Sequence, residues 1–167
     1  MSHDSSSAVG PQSHGTDHQD THAQPRQPGQ DPSEAVPELT DEQLEFLNSM
    51  FDLARQGREE ELLSLIEQGI PVNLANSKGD TLLILATYNN HDSLVEALIA
   101  RGADVDRLND RGQSALTCAV FLQNEDTVRM ILQAGADPHH EGQNAYAAIE
   151  MFGLDRMREI LEENTRA

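Results

Sequence analysis

Between residues 81 and 105 the chain reads TLLILATYNNHDSLVEALIARGADV: an apolar burst, a polar break at Asn89-Asn90-His91, a second apolar burst and a Gly-Ala-Asp close. Leu83, Ile84, Ala86 and Thr87 recur at the three- and four-residue steps of one helix face, and Leu94, Val95, Leu98 and Ile99 draw a second stripe after the break. The spacing predicts a helix, a turn and a helix. Gly102 follows the second stripe where a left-handed closing residue is expected. The polar runs NSKGD and NDRGQ are rich in tight-turn residues and predict a projecting loop at each junction.

The unit recurs with a period of 33 residues. That offset carries Gly79 to Gly112, Thr81 to Ser114, Leu83 to Leu116, Ala86 to Ala119, Val95 to Val128, Leu98 to Ile131, and Gly102-Ala103-Asp104 to Gly135-Ala136-Asp137. Backwards, Leu83 falls on Met50, Ala86 on Leu53, Asn90 on Gly57, Val95 on Leu62 and Gly102 on Gly69, a divergent earlier copy. Forwards, three residues must be deleted after Asp137, so that Gly112 meets Gly142, Ala119 meets Ile149, Gln123 meets Gly153 and Ile131 meets Leu161.

At the start of the array, Thr40 followed by Gln43 reads as a capping box, with Leu44, Leu47, Phe51 and Ala54 tracing one face of a helix to about Gln56. One helix pair cannot bury both of its apolar stripes, so neighbours must stack, and the expected fold is an all-α solenoid of stacked helix-turn-helix units with projecting loops. Its expected divisions are 1–37 as a disordered tail, then 38–167 as the repeat domain, divided into 43–75, 76–108, 109–138 and a shortened cap over 139–167. The tail is assigned as disordered because it holds almost no large apolar residues and is rich in Ser, His, Gln, Asp, Gly and Pro.

The 33-residue period, the starts NSKGDTLL and NDRGQSAL, the central Ala and the Leu-Ile-Ala-Arg-Gly-Ala-Asp finish resemble ankyrin repeats, in particular those of short bacterial proteins. The resemblance covers 38–167 and is strongest over 76–138. Where the family has Thr-Pro-Leu-His, this chain has Thr81-Leu82-Leu83-Ile84 and Ser114-Ala115-Leu116-Thr117. The helix-starting Pro and the His are both missing, which puts the rigidity of the loop-to-helix junctions in question.

The resemblance implies a non-catalytic protein-binding module, using the loop tips and a concave face of the first helices. Carried over by position, that face holds Tyr88 and Asn89, then Phe121 and Leu122, then Met151 and Phe152, with Arg55 and Gln56 in the first copy. Lys78 and Arg111 occupy equivalent loop tips, with Arg107 close by. The same side chains could instead turn inward and seal the joints between copies. Some relatives of this type are associated with catalases and oxidative-stress defence, so stabilising or inhibiting such an enzyme is one form the module's work could take.

Charge narrows the partner. Of the formal net charge of −18, the tail carries five acids against one base, which leaves −14 on 38–167, and the chain has a single Lys. A nucleic-acid backbone binder needs clustered cations, so the expected partner is a protein and not a nucleic acid. The N-terminus lacks the basic start and apolar run of a secretory signal, and the run from Leu82 to Ala86 is far too short to span a bilayer. A cytoplasmic monomer with no membrane association is the expectation.

Chemistry is sparse. There is no phosphate-binding Gly-Lys loop, no His-Glu-x-x-His, no Gly-x-Ser-x-Gly and no dinucleotide fingerprint, so neither catalytic residues nor a cofactor are expected. Cys118, the single cysteine, is expected to be a buried, inert thiol. His14, His18 and His22 recur every four residues in the tail, and His139-His140-Glu141 sits in the shortened junction. They support an alternative reading as a metal-responsive or metal-storing protein, although the Pro and Gly of the tail oppose the helix that would align its histidines.

Overall fold

The computed structural model describes residues 38–142 and 144–166; the expected tail, with His14, His18 and His22, lies outside them. Among the described residues the fold is all-α, with eight helices and no strand beyond an isolated bridge between Ala75 and Thr81. They alternate between two layers. The inner layer is α1 (Asp41–Gln56), α3 (Leu82–Tyr88), α5 (Ala115–Phe121) and α7 (Ala145–Phe152), each packed on the next. The outer layer is α2 (Glu59–Glu67), α4 (Asp92–Ala100), α6 (Glu125–Gln133) and α8 (Asp155–Thr165), stacked in the same order.

Each inner helix starts on a side-chain cap. Thr40 Oγ1 accepts from Gln43 N while Thr40 N donates to Gln43 Oε1, completing the capping box. Thr81 Oγ1 accepts from Ile84 N at 3.1 Å, Ser114 Oγ from Thr117 N at 3.2 Å and Asn144 Oδ1 from Ala147 N at 2.9 Å. Such caps are each worth roughly 0.5–2 kcal/mol, and they fix the junctions that the missing prolines would otherwise have pre-set.

The turn from inner to outer helix is left-handed in all four pairs, with φ of 67° at Gly57, 58° at Asn90, 57° at Gln123 and 65° at Gly153. At Gly57 a second constraint is added. His91 of the next pair lies over it and donates from Nε2 to the Arg55 carbonyl at 2.7 Å, so that a Cβ on residue 57 would stand 2.5 Å from His91 Nδ1.

A continuous core runs between the layers. Met50, Leu83, Leu116, Ala54, Ala86, Ala119 and Ile149 bury the inner helices, and Leu62, Leu94, Val95, Leu98, Val128, Ile131, Met157, Ile160 and Leu161 bury the outer ones. Small residues at 54, 86 and 119 leave room for the neighbouring helix, and the flanking aliphatic side chains fill the joint. Polar bonds set the register of the outer layer. Asp92 Oδ1 accepts from Asn124 Nδ2 at 2.8 Å and from the buried Thr127 hydroxyl at 2.6 Å, while Arg101 reaches Glu67 at 2.9 Å and Arg156 reaches Glu125 at 3.2 Å.

Thr87 stands out in this core. Its buried hydroxyl has no hydrogen-bond partner among the described residues, and one period on, the same place is filled by Val120. Replacing Thr87 by Val should therefore stabilise the fold by about 1 kcal/mol, read as a higher midpoint in urea denaturation; an unchanged or lower midpoint would show that the hydroxyl is satisfied. Gly57→Ala should act in the opposite direction, costing at least about 1–2 kcal/mol through its left-handed backbone and the His91 ring, in the same denaturation assay.

Candidate functional site

The candidate surface begins with two loops that project between helix pairs and are built alike. In Asn76-Ser77-Lys78-Gly79-Asp80, Asn76 Oδ1 accepts from the backbone of Lys78 and Asp80, both at 2.9 Å. In Asn109-Asp110-Arg111-Gly112-Gln113, Asn109 Oδ1 does the same for Arg111 at 3.0 Å and Gln113 at 2.9 Å. The loops are also joined to each other. Asp110 N donates to the Lys78 carbonyl at 2.9 Å, and the buried Asn109 amide donates to Asp80 Oδ1 at 2.8 Å. Gly79, at φ 75°, permits this approach, since a Cβ there would lie 2.9 Å from Asp110 Oδ1. Lys78 and Arg111 are thereby held on a paired, hydrogen-bonded base.

The inner-helix row is exposed. Tyr88 is 52% accessible, Phe121 49%, Met151 77% and Phe152 53%, whereas the residues one turn earlier in α3 and α5, Ile84 and Thr117, are buried. Phe121 and Phe152 meet edge to face with centroids 5.2 Å apart, a pairing worth roughly 0.5–1.5 kcal/mol beyond its buried area. The two rings thus close part of the joint between α5 and α7 where they meet and leave the rest of their surface open to solvent.

Two clefts divide the predicted residues. The first, of about 570 Å³, lies against α1 and α3 and gathers Tyr88, Asn89, Lys78 and Arg111. Arg55 joins them there, with Asp52 and Asp80. The second, of about 270 Å³, gathers Phe121, Met151 and Phe152 over Ala147 and Ala148 of α7. Leu122 and Arg107 line neither: Leu122 is half-buried at the end of α5, and Arg107 is exposed in the loop before Asn109. Asp52, Ala147 and Ala148 were missed by the sequence reading. They lie three or four residues before Arg55, Met151 and Phe152 on the same helices, so the helical spacing that found the anchors also marks their floor.

The first cleft mixes charges. Arg55 is paired to Asp52 at 2.8 Å, and Arg111 approaches Asp80 at 3.9 Å. Asp80 also accepts from the Asn109 and Asn76 side-chain amides. The Lys78 ammonium has no ion pair or hydrogen bond among the described residues. The second cleft is dominated by apolar side chains.

Other chemistry is placed elsewhere. Among the described residues no group of three or more His, Cys, Asp and Glu is arranged to hold a metal ion, and the His139 ring is stacked on Tyr146 with centroids 4.6 Å apart. No helix among them is long and apolar enough to cross a membrane. Cys118 is buried on α5, and its burial pushes the thiol from near 9.0 up to about 11, with Arg111 lowering and Asp80 raising it to smaller extents. Such a thiol is a poor nucleophile.

A family model described as ankyrin repeats (3 copies) matches residues 50–141. A protein of Pseudomonas aeruginosa that carries the name of an ankyrin repeat protein is 52% identical over 59 residues, a stretch covering 35% of this chain and 34% of that relative. The match therefore spans about a third of the relative's length.

The raised thiol gives a pH prediction. Below about pH 9 the folded and unfolded chains both keep the Cys118 proton and the stability is fully present; between there and about pH 11 only the unfolded chain ionises, so roughly 2–3 kcal/mol is lost. Urea midpoints measured across this range should fall more steeply for the native sequence than for Cys118→Ala, and parallel slopes would contradict the assignment.

Proposed function

This chain belongs to the ankyrin repeat family, and we propose that within it the protein is a non-catalytic binding module that presents a rigid concave surface to a protein partner. Ankyrin repeats are in general protein–protein interaction modules, and the family is typically non-enzymatic. The observation that carries the reading is the row of large apolar side chains, Tyr88, Phe121, Met151 and Phe152, each about half or more exposed on one layer of helices whose core is already filled. Contiguous exposed apolar surface of this kind marks interaction sites, and aromatic anchors tend to dominate their binding energy.

The mechanism is preorganisation. The anchors sit at the ends of capped helices, and the two loops beside them are bonded to one another before any partner arrives. Docking then costs little ordering entropy, and burial of the rings is converted into affinity. Asn89 and Leu122 flank the anchors, while Lys78, Arg107 and Arg111 supply the charged margin of the same surface. Stabilising or inhibiting an enzyme would be one use of such a surface.

The test compares the full-length chain with a Tyr88→Ala, Phe121→Ala, Phe152→Ala triple variant whose circular dichroism is native. Immobilised and exposed to an extract of the source cells, the native chain should retain a protein that the variant retains at least about 30-fold less well, since loss of a single strong anchor has that size. Equal retention by the two would remove the inner helices as the binding face.

A further inference from the structure

The two clefts differ in chemistry, and the difference specifies a partner. The second cleft offers the Phe121 and Phe152 rings and Met151 above Ala147 and Ala148, a floor of small side chains that admits a bulky apolar group. The first offers three cations, Arg55, Lys78 and Arg111, against two carboxylates. Both carboxylates are occupied: Asp52 by Arg55, and Asp80 by the Asn109 and Asn76 amides with Arg111 at the edge of its reach. The Lys78 charge is left over, on a loop whose backbone is bonded to the next.

Resting on the inner-face reading above, we propose that the partner presents a segment with a bulky apolar side chain for the Phe121–Phe152 cleft and an Asp or Glu for the Lys78–Arg111 cleft. Charge complementarity in an unfavourable field selects that chemistry. A partner carboxylate is repelled by most of a surface whose net charge is strongly negative, and the first cleft holds a cation, Lys78, with no ion pair among the described residues to receive it, whereas the exposed Arg107 lies outside both clefts. Attraction at one point with repulsion around it fixes register and selects partners more than it raises affinity.

The fold also sets the spacing. The first cleft lies on α1 and α3 and the second on α5 and α7, two steps along a row of helices packed in order. With neighbouring helix axes 8–10 Å apart, the two centres are separated by roughly 20 Å. An extended segment covers that distance in about six residues, since each adds about 3.3 Å. Tyr88, which lines the first cleft, borders the path between them.

The experiment uses the full chain and a phage-displayed library of random peptides about 16 residues long, enough to bridge roughly 20 Å in extended or helical form. Selected peptides should place Asp or Glu about six residues from Leu, Ile, Met or an aromatic residue if extended, or about 13 residues from it if helical. For one such synthetic peptide, Glu→Gln in the peptide and Lys78→Ala in the protein should each weaken binding by about threefold to fivefold, the size of an exposed ion pair, and the two changes together should cost no more than either alone. Phe152→Ala should weaken it separately.

Peptides that are sensitive to Phe152→Ala but carry no acidic preference, and are indifferent to Lys78→Ala, would overturn the partner chemistry and leave the inner face standing as the docking site. Peptides indifferent to both substitutions would overturn both. A library that yields no binder overturns the proposal of a linear acidic-apolar segment. The peptide-side substitution keeps the test valid whatever Lys78→Ala does to the loop.

Discussion

Sideways packing of one helix pair on the next is the interaction on which everything else in this protein depends. Apart from α1, the inner helices are seven or eight residues long, and in isolation helices of that length are not stable in water. Their apolar stripes face two ways, toward their own outer helix and toward the neighbouring pair. Only the stack buries both. The small side chains at Ala54, Ala86 and Ala119 let inner helices approach, while Leu83, Leu116 and Ile149 fill the space that the approach encloses. Stability is thus a property of joints, and a change within one pair acts on its neighbour.

Polar groups decide how the joints align. Apolar packing alone would tolerate sliding of one pair over another. The bonds from Asn109 to Asp80, from Asn124 and Thr127 to Asp92, and from His91 to the Arg55 carbonyl each join successive pairs at one setting. Several are shielded from solvent, so a shifted register would leave their groups unpaired, a larger penalty than the net gain from forming them. The exposed Arg-Glu contacts of the outer layer add less. The device that aligns the stack therefore also fixes the backbone of the two loops that carry Lys78 and Arg111.

An exposed row of side chains follows from that alignment. A residue at the end of one inner helix has its counterparts at the ends of the others, so a side chain too large for the core at that place becomes part of a row. Where the counterparts are Phe121 and Met151, Phe152 beside Met151 meets the Phe121 ring and one apolar cleft forms; where they are Tyr88 and Arg55, with Lys78 and Arg111 from the loops, a charged cleft results. The same backbone repeat yields two kinds of surface because the anchor positions are free of the packing constraint that makes the core uniform.

The helices, their turns and their stacking were legible in the sequence, because each is set by short-range geometry repeated at a constant interval: the 33-residue offset, the three- and four-residue apolar spacing, the Thr40 and Gln43 cap. The left-handed closing residue expected at Gly102 was legible too, with φ 87°, whereas the left-handed inner-to-outer turns at Asn90 and Gln123 were seen in the sequence only as register matches to Gly57 and Gly153. What the tertiary structure decided was how aligned residues share their surroundings. Phe121 closes on Phe152 while Tyr88 borders a separate cleft, Leu122 turns half inward, Arg55 is paired with Asp52, and Lys78 has no ion pair among the described residues. Periodicity fixes which side of a helix a residue occupies, but exposure and pairing depend on side chains one repeat away, whose sizes and charges are not periodic.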